Sequence, residues 1–136
     1  MITIQDYVGV HAGSKDWTPA RQRYAKILLD AVNPLLEHYY RATGNKIRIN
    51  PATKSQVSGQ TFGGFRPQSC PEGSPGSSHK EGMGVDVYDP KNEFDDWLTD
   101  DILAEYKLYR EHPQKTQRWC HLTTRRPPSG NRTFWP

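Results

Sequence analysis

The sequence predicts a single α+β domain, residues 1–136, in which a small antiparallel sheet is flanked by two main helices. Segments of helical periodicity alternate with short β-branched runs in the order helix, strands, helix, strand. Only 34% of the residues are hydrophobic, and 11 glycines and 11 prolines imply many loops around one modest core.

The first part of the chain should contain one long helix. Residues 1–17 are interpreted as an N-terminal arm with one weak strand. The helix then starts after Thr18, a good N-cap, with Pro19 at its first position, and it stops at Gly44. Pro34 is expected to kink or interrupt it, because proline removes a backbone hydrogen bond. The apolar residues that recur every three or four positions along it are Tyr24, Ile27, Leu28, Ala31, Leu35 and Tyr39.

Short strands and loops are expected in the middle of the chain. Alternating residues at 46–49 predict a strand, and a further strand is expected near 61–65. The stretch at 67–78 is rich in proline, glycine and serine and therefore predicts a loop. Residues 84–89 then predict a buried strand, in which Asp86 faces away from the neighbouring valines.

The last third should add a helix and a strand. A helical turn at 95–98 precedes a second helix at 99–112, for which Thr99 is the cap. The apolar stripe of this helix consists of Ile102, Leu103, Tyr106 and Tyr109. A final strand is expected at 118–124, and residues 125–136 should form an extended basic tail.

Charge and cysteine content narrow the classes of function. The net charge is only +3, and the chain has neither a nucleic-acid-binding motif nor a long apolar run, so we expect no nucleic acid and no membrane as partners. The N-terminus lacks the pattern of a signal peptide, which predicts cytoplasmic synthesis. Cys70 and Cys120 are isolated and are expected to be free thiols, with a metal-binding role for Cys70 as the less favoured alternative.

His79 and Asp86 form the first candidate site. Gly82 and Gly84 lie between them and disfavour a helix, so a tight turn entering a strand should bring the histidine beside the aspartate. In the final strand, His121 alternates with apolar neighbours and can supply a further ligand. From these residues alone, a structural histidine and a turn-capping aspartate remain the alternative.

A resemblance to a known family adds to this interpretation. The segment SSHKEGMGVDV (77–87) resembles the S-x-H-x-x-G-x-A-x-D signature of zinc D-Ala-D-Ala carboxypeptidases and their relatives, which include vancomycin-resistance dipeptidases, phage L-alanyl-D-glutamate endolysins and the hedgehog signalling domain. Gly84 stands where alanine is usual. WCH (119–121) resembles the family's W-x-H element, and GGFRP (63–67) resembles its arginine-bearing strand. The matched span covers about half the chain, and the resemblance implies a hedgehog/DD-peptidase-like zinc fold.

The resemblance also implies roles for individual residues. A zinc ion would activate a water molecule as the nucleophile, and Arg66 would donate hydrogen bonds to a substrate carboxylate or to the developing oxyanion. Ser77 and Trp119 would support the ligands. The implied zinc ligands are His79, Asp86 and His121.

The general base departs from the family's pattern. Relatives carry an acidic residue three positions before the last histidine ligand, where this chain has Arg118. The remaining candidates for the general base are Glu111 and His112. The loop residues Glu72 and Glu81 are poorer candidates for this role.

The expected function is hydrolysis of peptidoglycan stem peptides at a D-Ala-D-Ala or L-Ala-D-Glu type bond. The chain's ending resembles small phage members, so we expect action on the cell wall after holin release or as a virion component, with virion proteins as further partners. One alternative is a catalytically silent, zinc-stabilised binding or structural module of a phage particle. Another is a small α+β domain without zinc.

Overall fold

A four-stranded mixed sheet with the strand order β1-β3-β2-β4 organises the fold. The computed structural model describes residues 1–74 and 76–136. Strand β3 pairs antiparallel with β1 and with β2, whereas β4 pairs parallel with β2. The α+β class is thus confirmed, but the sheet is not wholly antiparallel. The strands are β1 (Gly84–Tyr88), β2 (Tyr109–Glu111), β3 (Trp119–Thr123) and β4 (Thr133–Phe134).

Four helices accompany the sheet within the described parts of the chain, and none of them is long and apolar enough to cross a membrane. Short 3₁₀ turns at Gly9–His11 and Pro113–Lys115 complete the regular structure. The helical turn predicted at 95–98 corresponds to the third helix. The helices are α1 (Ile4–Val8), α2 (Pro19–Thr43), α3 (Glu93–Trp97) and α4 (Asp100–Glu105).

Helix α2 has the predicted ends but not the predicted interruption. The Thr18 hydroxyl accepts a hydrogen bond from the backbone N–H of Arg21 at 3.3 Å, and Gly44 adopts the left-handed conformation with a φ of 75°. The helix continues through Pro34, so of the two expected effects, a kink or an interruption, the interruption does not occur. Because Pro34 is exposed, water can hydrate the carbonyl group that loses its intrahelical partner.

The buried face of α2 is rotated relative to the predicted stripe. Tyr24 and Ile27 are 40% and 58% exposed, which contradicts their assignment to the core. Leu28, Leu35 and Tyr39 are buried as predicted. The other buried positions of the helix are Ala25, Leu29, Val32 and Leu36.

The N-terminal arm contains a helix instead of the predicted strand. Thr3 and Asp6 form a capping box, in which each side chain accepts a hydrogen bond from the other residue's backbone N–H. Tyr7 is buried, and its hydroxyl donates a hydrogen bond to the carbonyl of Gly84 at 2.9 Å. The arm is therefore part of the packed domain.

Two predicted strands are absent from the described residues. Residues 46–49 and 61–65 form no strand; the isolated bridges in this part of the chain join Asn50 to Ser55 and Val57 to Val87. Short alternating runs form strands only when they pair with a partner strand over several residues, and the run at 61–65 bonds β1 only through the Gly63 carbonyl.

Loop residues 56–63 instead bond the outer edge of β1. The Ser58 N–H donates to the Asp86 carbonyl at 2.8 Å, and the Asp86 N–H donates to the Gly63 carbonyl at 2.7 Å. The backbone N–H and the backbone carbonyl of Asp86 are thus both held by hydrogen bonds to a loop outside the sheet.

The predicted second helix, 99–112, is wrong beyond Glu105. Lys107 adopts a positive φ of 58°, and the Leu108 N–H closes the turn on the Leu103 carbonyl at 2.9 Å. The chain then enters β2, which puts Glu111 on a strand beside β3. Part of the predicted tail at 125–136 likewise forms a strand, β4.

Strands β1 and β3, predicted at 84–89 and 118–124, separate the core from the opposite face of the sheet. Val85, Val87, Cys120 and Leu122 belong to the buried apolar cluster, together with residues of α2 and α3. The alternating residues, Asp86 and His121 among them, point the other way. Both cysteines are free, as predicted.

Candidate metal centre and its cleft

Three side chains converge where β1 and β3 meet the loop before β1. The antiparallel register pairs Asp86 directly with His121. His79 lies in the preceding turn, where Gly82 has a positive φ of 77°, the tight turn that the glycines predict. All three side chains are buried.

The distances among these side chains fit a metal ion. Asp86 Oδ1 lies 3.2 Å from His79 Nε2 and 2.8 Å from His121 Nδ1. One potential ligand atom from each residue lies within 4.8 Å of the other two. Tetrahedral coordination with bonds of about 2.0–2.1 Å separates neighbouring ligand atoms by about 3.3 Å. Among the residues that the structure describes, this is the one group of three or more that could hold a metal ion.

Each imidazole is oriented by a hydrogen bond from its other nitrogen. His79 Nδ1 lies 2.7 Å from the Gly64 carbonyl, to which it can only donate, so Nε2 is left as the lone-pair nitrogen that faces Asp86. His121 Nε2 lies 3.2 Å from the Ser78 hydroxyl, which leaves Nδ1 to face the same carboxylate. Such outer contacts are typical of histidines that bind metals.

Ser78 also explains why glycine occupies position 84. A Cβ atom at Gly84 would lie 2.3 Å from Ser78 Oγ and 3.0 Å from His121 Cε1. The serine hydroxyl thus occupies the space that a methyl group at position 84 would need.

Burial and neighbouring charges shift the pKa values of His79 and Asp86. Burial lowers the pKa of His79, which favours the neutral imidazole, although the Asp86 charge opposes this effect. Burial acts against ionisation of Asp86, but its close contacts with His79 and His121 outweigh this effect and hold the Asp86 pKa well below its usual range.

The three residues lie in a cleft of about 530 Å³ that also contains Arg66 and Glu111. Glu111 reaches the cleft from β2, and burial raises its pKa, an effect that the charge of His121 opposes. Arg66 Nη2 lies 3.5 Å from Asp86 Oδ2, and Nε donates to the Phe62 carbonyl at 2.7 Å. The cleft therefore combines a potential metal centre with a carboxyl group and a guanidinium group.

The structure does not bring every predicted site residue to the three potential ligands. The His112 ring stacks on Trp135, with ring centroids 3.9 Å apart, and its Nδ1 accepts a hydrogen bond from the Gln114 N–H. Ser77 and Trp119 line the cleft, but the hydroxyl that touches a ligand is that of Ser78. His112 and Ser77 are thus not placed as the sequence suggested.

The segment after β3 supplies residues that the sequence analysis did not assign to the site. Arg125, Arg126 and Trp135 line the cleft, and no carboxylate of the described residues pairs with either arginine. The available signal was the set of arginines at 125, 126 and 132, followed by Phe134 and Trp135. Their position became apparent only because β4 folds this segment back onto β2.

Comparison of the chain with protein-family models, with curated proteins and with solved structures found no match.

Proposed function

We propose that the protein is a zinc-dependent peptidase that hydrolyses peptidoglycan stem peptides. The observation that carries the proposal is the location of Glu111 and Arg66 in the same cleft as His79, Asp86 and His121. A base, an anion-binding group and a three-ligand metal centre are the parts that metal-assisted peptide hydrolysis needs.

The donor set supports zinc as the metal. Two imidazoles and one carboxylate form a typical catalytic zinc site, which keeps a coordination position open. Mg²⁺ and Ca²⁺ prefer sites built from oxygen ligands. Zinc, when bound, supplies Lewis acidity that activates water and polarises the scissile carbonyl.

The protein's own groups would carry out the proton transfer and the charge stabilisation. The Glu111 carboxylate takes the proton from the attacking water and passes it to the leaving amine, and its raised pKa suits both steps. The Arg66 guanidinium donates hydrogen bonds to the oxyanion or to a substrate carboxylate. His79 and His121 keep their orientations through Gly64 and Ser78.

The lining of the cleft supports an anionic peptide as substrate. Arg66, Arg125 and Arg126 outnumber the acidic groups Asp86 and Glu111. Stem peptides carry free carboxylates, and the signature at 77–87 resembles that of enzymes that cut D-Ala-D-Ala or L-Ala-D-Glu type bonds. Access to the wall would follow phage lysis or delivery with a virion.

The test is a digest of purified muropeptides by the zinc-loaded protein, with products identified by mass spectrometry. We expect product from the wild type, none after chelation, and a rate lowered by roughly 10²–10⁴-fold in Glu111→Gln. Glu105→Gln, at an exposed position of α4, is the matched control and should retain full activity.

A catalytically silent zinc-stabilised module is the second candidate. Arg118 favours it, because this residue stands where the family usually has the acidic residue that acts as general base. Arg118 adopts a positive φ of 81°. Stoichiometric zinc with no product from any muropeptide between pH 5 and 9 would replace the peptidase proposal with this one.

A further inference from the structure

Lys80, the residue after the potential ligand His79, carries a buried ammonium group. The residue is only 3% exposed. Its Nζ donates hydrogen bonds to the backbone carbonyls of Gln68, Cys70 and Gly73 at 3.1, 2.9 and 3.3 Å. Among residues 1–74 and 76–136, no carboxylate pairs with it.

The ammonium group and the loop around it complement each other. A buried charge is stable only when its hydrogen-bonding capacity is met, and an ammonium has three donors, which three carbonyls satisfy here. Residues 67–74 form neither helix nor strand, so their carbonyl groups lack the partners that regular structure provides. An aliphatic side chain at position 80 would leave three loop carbonyls without a donor.

This loop also forms the wall of the cleft next to Arg66. Gly73 lines the cleft, and a Cβ atom there would lie 3.0 Å from Arg66 Nη1, so the guanidinium packs directly on the Gly73 backbone. The other terminal nitrogen of Arg66 faces Asp86 Oδ2 at 3.5 Å. A continuous series of contacts thus runs from Lys80 through Gly73 and Arg66 to Asp86.

We propose that Lys80 is a positioning residue, an internal cation that shapes loop 68–73 and thereby holds the Arg66 guanidinium against Asp86 in the cleft. Its effect on the loop is a property of the fold. Its effect on turnover rests on the proposed peptidase function.

The test compares Lys80→Met with Lys91→Met, which removes an exposed lysine. Hydrogen exchange followed by mass spectrometry should be at least about tenfold faster at residues 68–74 in Lys80→Met and unchanged in the control, while both variants bind zinc as the wild type does. We expect kcat/KM to fall roughly 10- to 100-fold in Lys80→Met. In a protein that already carries Arg66→Ala, Lys80→Met should lower kcat/KM by less than about twofold, because both changes act through the same guanidinium group.

Two results would overturn the proposal. One is unchanged hydrogen exchange of residues 68–74 in a folded Lys80→Met variant. The other is a double variant whose loss of kcat/KM equals the product of the losses in Lys80→Met and Arg66→Ala. If Lys80→Met does not fold, Gly73→Ala decides, because it changes the contact between the loop and Arg66: it should displace Arg66 and lower kcat/KM only when Arg66 is present. A wild type that hydrolyses nothing would refute the peptidase proposal alone, because loop exchange would still decide the role of Lys80.

Discussion

Replacing Asp86 by asparagine removes the negative charge at the centre of the proposed metal site and leaves the side chain's shape almost unchanged. In the wild type, a single oxygen of Asp86 contacts both His79 and His121, at 3.2 and 2.8 Å. The variant should therefore fold but lose most of its affinity for zinc. Since removal of an outer-shell partner alone lowers metal affinity about 10–100-fold, removal of a ligand charge should lower it more than about 100-fold.

This loss translates into a measurable thermal shift. Zinc at 100 times its Kd stabilises the folded wild type by about 2.7 kcal/mol. An unfolding entropy of about 2.1 cal/mol/K per residue gives about 0.29 kcal/mol/K for a chain of this length, so zinc should raise the wild-type Tm by about 9 °C. At the same zinc concentration, an Asp86→Asn variant with 100-fold lower zinc affinity is stabilised by only about 0.4 kcal/mol, which raises its Tm by less than about 2 °C.

Differential scanning calorimetry with and without zinc, after chelator treatment, measures both shifts. Asp89→Asn is the matched control: Asp89 is also a buried aspartate, but its carboxylate accepts hydrogen bonds from the N–H groups of Phe94 and Asp95. Its Tm should fall while the zinc-dependent increase persists. An equal zinc-dependent increase in Asp86→Asn and in the wild type would refute the assigned ligand set.

Three further predictions follow from contacts described above. Gly84→Ala should displace the Ser78 hydroxyl from His121 and weaken zinc binding about 10–100-fold, as measured by competition with a chromogenic chelator. Burial raises the pKa of Asp95 to about 6 from an ordinary value near 3.8, so the folded state binds this proton more tightly and the free energy of unfolding should fall as pH rises from about 4 to 6. Urea titrations should show that Asp95→Asn lacks this pH-dependent part of the free energy of unfolding, which is at most about 3 kcal/mol. An equal pH dependence in the wild type and in Asp95→Asn would contradict the prediction. Arg126→Ala should raise KM for anionic muropeptides roughly tenfold with little change in kcat, and an unchanged KM would remove this arginine from the substrate site.

The sequence predicts the potential metal ligands well because their positions depend on local rules. Alternation in β1 and β3 sets the faces of Asp86 and His121, and the glycines predict the turn after His79. The grouping of all three as ligands came from the family resemblance, since Asp86 and His121 meet through strands that are distant in sequence. The long helix was equally accessible, since Thr18 and Gly44 mark its ends.

The parts that the sequence did not predict depend on contacts distant along the chain. Tyr106 and Tyr109 continue the three-residue spacing of a helix, but Lys107 turns the chain and Tyr109 pairs with Thr123. Glu111 thus reaches the cleft along a strand and not from the end of the predicted helix 99–112. The contact between Ser78 and Gly84 was equally inaccessible, because it is a matter of space between two side chains and not of spacing in sequence.

The attachment of loop 56–63 to both backbone groups of Asp86 has a consequence for how this chain can vary. The loop does the work of an edge strand, so its length sets the position of a potential ligand in the neighbouring strand. Insertions or deletions there should be poorly tolerated by metal binding, although the segment has the irregular appearance of a surface connection. An engineer who wishes to graft a recognition element onto this scaffold should leave it intact and use the exposed residues 44–45 after α2 instead, which do not line the cleft.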